Sequence, residues 1–184
     1  SVHSRLDKEV SGVMVFGRMA TENQAIAREF ESRAVVKRYL AVVRDNGLPA
    51  RFELRDRLQP SERGPTRVVS TGGVEAVTEG CVRGRKHGRV LVELQPKTGR
   101  RHQLRVQLAH RGAAICGDEL YRGDRAPRLM LHAVSVESKA LGWQFESQAP
   151  EEFGDLALTE TLGSSEHLRR VLFDAAWLRE PLFR

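Results

Sequence analysis

The stretch Val35 to Val43, VVKRYLAVV, constrains the fold more than any other. Its β-branched residues favour an extended backbone, and successive side chains of a strand point to opposite faces. Tyr39 then shares a face with Val35, Lys37, Ala41 and Val43. Asn46, Gly47 and Pro49 end the run. A second apolar run, GVMVFG from Gly12 to Gly17, is bounded by glycines and predicts a buried strand directly after Asp7. Between them, Thr21 and Gln24 make a capping-box pattern. Ala25, Ile26 and Phe30 follow at helical spacing, which predicts a helix from about Glu22 to Ser32.

Downstream the period switches twice. Val74 to Val82 and Arg89 to Leu94 alternate as a hairpin across RGRKHG, whose Arg83, Arg85, Lys86 and Arg89 crowd one tip. Clustered cations repel, so a polyanion there would relieve them; a solvated turn fits equally well. In KTGRRHQLRVQLAHRG, Leu104 and Leu108 lie four apart and Gly112 stops the run. This predicts a helix with Arg100, Arg101 and His102 in its first turn and with Arg101 and Arg105 on one side. Leu129 to Val136 and the alternating Trp143 and Phe145 predict two further strands, and Ser165 to about residue 178 a final helix. Arg51 to Gly73, with LQPSERGPT at its centre, is rich in charge, Pro and Gly and reads as a mobile surface excursion that could bind a partner. Strands and helices mix without a βαβ rhythm. The expectation is therefore an α+β fold, a mixed and mostly antiparallel sheet flanked by helices, in one domain spanning all 184 residues.

Charge narrows the partners. A formal charge of +6 and a pI near 9.9 favour a polyanion, most commonly RNA or DNA. Cys81 and Cys116 lack metal-ligand spacing and read as small reduced hydrophobes, so no metal is expected. No Gly-x-Gly-x-x-Gly follows a strand and PKTGR lacks phosphate-loop spacing, so no nucleotide cofactor is indicated. There is no apolar run of about 18 residues, hence no expected membrane span, and no secretory pattern, hence an expected cytoplasmic location.

Three stretches together resemble the RluA-like family of RNA pseudouridine synthases. HSRLDKEVSG is similar to that family's His-Arg-Leu-Asp-Lys-x-Thr-Ser-Gly segment, KRYLAVV to its Lys-x-Tyr-x-Ala-x-Val strand, and KTGRRHQLRVQLAHRGAAICGDELY to its Gly-Arg-x-His-Gln-Leu-Arg signature. LMLHA, around Leu131, is the expected fourth piece, and the resemblance covers about residues 2 to 150. It implies isomerisation of uridine in ribosomal or transfer RNA to pseudouridine, without metal or cofactor, in a cleft on a mixed sheet. It implies that Asp7 is the catalytic carboxylate, Tyr39 the ring that stacks on the target base, and Arg105 the basic partner of Asp7. Leu131 would form the cleft floor, with Arg5, Arg100, Arg101, His102 and Gln103 as RNA contacts. A catalytically silent RNA-binding relative is the alternative.

The chemistry suits these residue types. A carboxylate can attack the sugar or the ring, or remove a sugar proton, and the resemblance does not choose among these routes. An arginine supplies charge and orientation. An aromatic wall holds the detached base once the uridine has left its stack. Without the motifs, Asp7 also fits a surface pair with Arg5 or Lys8, Tyr39 ordinary strand packing, and His102 and His132 hydrogen-bonded structural roles. Two positions depart from the family pattern: Ser4 stands where the family has His, and Val10 where it has Thr, with a polar contact expected to be lost. Members carry some tens of residues ahead of this motif, including an Asn-Lys-Pro segment, so the resemblance implies a chain lacking that segment and any small RNA-binding domain before it.

Overall fold

The computed structural model describes residues 4–61 and 64–157; the helix expected at 165–178 lies outside them. In chain order the elements are β1 (Ser11–Gly12), α1 (Ala20–Glu31), β2 (Val36–Arg44), β3 (Arg51–Gln59), β4 (Arg67–Val69), β5 (Val74–Lys86), β6 (Arg89–Pro96), α2 (Gln103–His110), β7 (Leu131–Ser138), β8 (Trp143–Glu146) and α3 (Glu152–Ala157). Among the described residues the strands form one sheet in the order β1-β7-β2-β6-β5-β3-β4, with β8 pairing β7. Only β1–β7 is parallel. This is the mixed, mostly antiparallel α+β architecture expected from the sequence.

β2 is the keel of this sheet, antiparallel to β6 on one side and to β7 on the other. Leu40, Ala41, Val42 and Val43 are all buried, because a central strand has apolar matter on both faces. By strand alternation Lys37, Tyr39 and Ala41 share one face, while Arg38 and Leu40 share the other. α2 packs over the Tyr39 face, where Gln107 meets Thr78 of β5. α3 packs over the other, where the Phe153 ring meets His132, the partner of Leu40 in the β2–β7 register.

Three expectations fail, each for a physical reason. Arg51 to Gly73 is no loop: β3 pairs with β5 over eight residues and also with β4. Phe52, Leu54 and Leu58 are buried between exposed Arg51, Glu53, Arg55 and Arg57. Each such side chain contributes about 1.5–3 kcal/mol on burial, and a period of two was hidden by the charge of the exposed face. The run Gly12 to Gly17 is not a buried strand: β1 ends at Gly12, Val15 is buried, and Met14 and Phe16 are exposed. The helix α1 starts at Ala20 rather than Glu22. Met19 is its N-cap and makes no side-chain cap bond, so Thr21 is not the cap.

Three of the four cations of the β5–β6 hairpin already have protein partners. Arg83 binds Glu93, Arg85 binds Asp45 and the Leu48 carbonyl, and Arg89 donates to the Arg125 carbonyl. Strand β5 runs on to Lys86, with a bulge between Val82 and Gly84, and only His87 and Gly88 form the turn. Cys81 and Cys116 are free and buried, as expected.

Candidate active site

Asp7 belongs to a tight turn closed by the Val10 amide donating to the Asp7 carbonyl, 3.0 Å. Two contacts hold this turn on the sheet. The Val15 amide donates to Ser4 Oγ at 3.1 Å, so the serine that replaces the family's histidine makes a polar contact of its own. Gly12, with φ of 118°, lies flat against β7. A Cβ there would stand 2.2 Å from the Ala133 carbonyl oxygen, so only glycine fits. Ser11 Oγ and His132 Nδ1 add a 2.7 Å bond between the same strands.

Arg105 lies in the first turn of α2 and is buried. Its Nε and one terminal nitrogen donate to the two oxygens of Asp118 at 2.7 and 2.8 Å, a bidentate pair with a fully buried carboxylate. The other terminal nitrogen donates to Asp7 Oδ2 at 3.2 Å, with Glu9 Oε2 at 3.7 Å. Burial opposes the guanidinium charge, but the hydrogen bond and charge of Asp118, then those of Asp7, outweigh it and hold Arg105 above its ordinary pKa. Asp118 is fixed in turn by Gly117, whose φ is 77° and whose absent Cβ would fall 1.8 Å from the Arg128 carbonyl oxygen.

The Tyr121 ring lies 5.5 Å from the Arg105 guanidinium carbon. The Tyr121 amide donates to Asp118 at 3.2 Å. Its hydroxyl donates to the Thr66 carbonyl at 3.1 Å and bonds His102 Nδ1 at 3.0 Å. The clamp of Asp118 and Tyr121 lies at the end of the third resembling stretch, in GDELY, but neither residue was singled out for the site. Both residues lie in the polar connection GDELYRGDRAP. The signal was the bare fact that a buried arginine requires a buried carboxylate.

A cleft of about 1490 Å³ runs over this pair. Asp7, Tyr39, Arg105 and Leu131 all line it, as do Arg5, Arg100, Arg101, His102 and Gln103. The structure thus brings every candidate site residue implied by the resemblance to one hollow. Burial first, and then the charge of Asp7, pushes the Tyr39 phenol up to about 12. Burial also lowers the pKa of His102, partly offset by Asp7.

The geometry corrects three details. Arg100, Arg101 and His102 precede the helix, which starts at Gln103. His102 has a left-handed φ of 54° as its N-cap, so Arg101 does not share a helix side with Arg105. Arg101 reaches the Ser61 carbonyl at 2.6 Å and Arg100 Nε the Glu75 carbonyl at 3.1 Å. Gln103 has no capacity left for RNA. Its amide nitrogen donates to the Val77 carbonyl and Thr78 Oγ1, and its oxygen accepts from Thr98 Oγ1 and the Arg100 amide. It builds the wall of the cleft.

Fold and site together define an α+β protein with a cation-rich cleft around an aspartate clamped by a buried arginine. The model of the family described as RNA pseudouridylate synthase matches residues 1–110, and the chain belongs to that family. An uncharacterized RNA pseudouridine synthase of Helicobacter pylori is 38% identical over 152 residues, covering 81% of this chain and 62% of that protein. The tRNA pseudouridine synthase C of Salmonella typhi is 34% identical over 158 residues, covering 72% and 60% respectively. The chain therefore spans about three fifths of the length of these relatives. A solved structure, human RNA pseudouridylate synthase domain containing 1, superposes with a TM-score of 0.74 at 24% identity, over 93% of this chain and 79% of that one, and shares the fold. Among the described residues no helix is long and apolar enough to cross a membrane.

Proposed function

We propose that the protein isomerises uridine in RNA to pseudouridine, with Asp7 as the acting carboxylate. The observation that carries this reading is the 3.2 Å contact between Asp7 and Arg105, across 98 positions of sequence, in the cleft that Tyr39 lines. The reaction balances within the substrate: the bond from N1 to the sugar C1′ breaks, a bond from C5 to C1′ forms, C5 loses a proton and N1 gains one. No electrons and no water are consumed.

In this reading each residue has a task. The carboxylate of Asp7 is the group that engages the nucleoside while the base is detached. Arg105 orients it through a guanidinium that Asp118 cannot release cheaply, because both partners are buried. Tyr39 stacks on the base as a neutral phenol, since its pKa of about 12 leaves it protonated at working pH. Leu131, buried beneath, gives the base an apolar floor. Arg5 and the Arg100–His102 turn meet the backbone phosphates, contacts that position RNA without reading its sequence. Transfer RNA is the substrate class in the name of the Salmonella relative, and the resemblance in the sequence leaves ribosomal and transfer RNA both open.

The test is incubation of the protein with unmodified transfer and ribosomal RNA, followed by chemical mapping of pseudouridine. Pseudouridine at discrete positions is expected. Salt-sensitive RNA binding with no pseudouridine in either class would overturn the reading in favour of a silent RNA-binding relative.

A further inference from the structure

Most cations of the cleft already have protein partners. Lys97 pairs with Glu79 at 2.8 Å, Arg105 with Asp118, and Arg100 and Arg101 with backbone carbonyls. Lys37 differs. It lines the cleft on the Tyr39 face of β2, two residues away and so about 7 Å along the strand. It is half-buried, and among the described residues its ammonium makes no hydrogen bond or ion pair; burial alone acts on it, lowering its pKa. Its three donors are thus turned to the cleft with no protein acceptor among the described residues.

The neighbouring backbone keeps that position open. A Cβ on Gly99 would stand 3.6 Å from Lys37 Nζ, with no other atom within 4 Å, and Gly99 is exposed to the cleft. A glycine here leaves the ammonium bare on its solvent side, where a side chain would cover it. A compact point charge with free donors suits a phosphate oxygen. A cleft of about 1490 Å³ has room for more than one nucleotide.

We propose that Lys37 and the open backbone at Gly99 form a subsite for the phosphate of the nucleotide next to the target uridine. This rests on the RNA-modifying reading above and adds a positioning residue to it. The test measures RNA binding at several salt concentrations, and KM and kcat on an RNA that the wild-type protein converts, for Lys37→Met, Lys37→Arg and Gly99→Ala. Methionine fills the half-buried stem, so Lys37→Met keeps its melting temperature. Its KM and Kd rise about tenfold with kcat within about twofold, and the salt slope becomes shallower by about one ion. Lys37→Arg restores most of the affinity. Gly99→Ala folds normally, since 3.6 Å is ordinary contact, and raises KM severalfold by capping the ammonium.

Unchanged KM and salt slope in Lys37→Met would overturn the proposal, and so would a fall in kcat at constant KM. Binding is read independently of conversion. If the wild-type protein converts no RNA, the active-site reading falls while the salt slope still decides the role of Lys37.

Discussion

Two ion clusters lie on opposite faces of the sheet with opposite stoichiometry. Under α3, one carboxylate serves two arginines: Arg38 of β2 donates to Glu93 Oε1 at 3.0 Å and Arg83 of β5 donates to Glu93 Oε2 at 2.8 Å, with Glu93 fully buried. Over the Tyr39 face one arginine serves several carboxylates. Asp118 takes two nitrogens of Arg105, and Asp7 and Glu9 share the third. The first cluster is closed, because every oxygen of its acid is occupied. The second leaves surplus acids on the cleft: Asp7, 27% exposed on its side chain, is held at 3.2 Å from Arg105, while Glu9, 58% exposed, lines the same cleft at 3.7 Å. In the proposed reading the closed cluster serves packing, and the acid-surplus cluster, open at one end, serves the chemistry.

The largest expected effect follows from breaking each cluster at its buried acid. Glu93→Ala leaves the buried Arg38 without its carboxylate and is expected to cost about 3–5 kcal/mol of stability in urea unfolding. Surviving folded protein should turn over normally. Asp118→Asn loses charge but keeps shape, so Arg105 stays in place with a weaker hold. Pseudouridine formation is expected to fall about a hundredfold while RNA affinity changes by less than threefold. If Glu93→Ala slowed turnover as strongly as Asp118→Asn, the division between a structural and a reactive cluster would be wrong.

A smaller effect sharpens the same contrast through pH. The chain has two tyrosines, Tyr39 and Tyr121, both beside the Arg105 cluster and both pushed up to about 12, mainly by burial. Unfolded tyrosines ionise near 10. The unfolded state therefore releases protons first, so stability is fully present below about pH 10 and is lost as pH rises towards 12. Tyrosinate absorbance in the folded protein should be almost absent until about pH 11. A normal titration near 10 would mean that neither ring is buried as described.

Much of this was legible in the sequence. Strand β2 and the β5–β6 hairpin were visible in their period, and the residues that line the cleft beside Asp7 lay in the quoted motifs. The charge-rich β3 was not, because Arg51, Glu53, Arg55 and Arg57 coat an outward face and composition drowned the alternating Phe52, Leu54 and Leu58. The clamp on Arg105 was only half legible: Asp118 and Tyr121 end the third motif stretch, yet look like loop residues until α2 folds over them. Local pattern reports which face a side chain takes, whereas the partner of a buried charge is set by topology. The shift of Gln103 from RNA contact to wall has the same origin, since its four partners come from β5 and the 98–100 turn.

The most direct measurement is single-turnover pseudouridine formation by Asp7→Asn, with RNA binding followed in the same samples. Loss of product by more than about a thousandfold, with affinity within a few-fold of wild type, is the predicted result. Product at the wild-type rate from a variant that has lost this carboxylate would contradict the account.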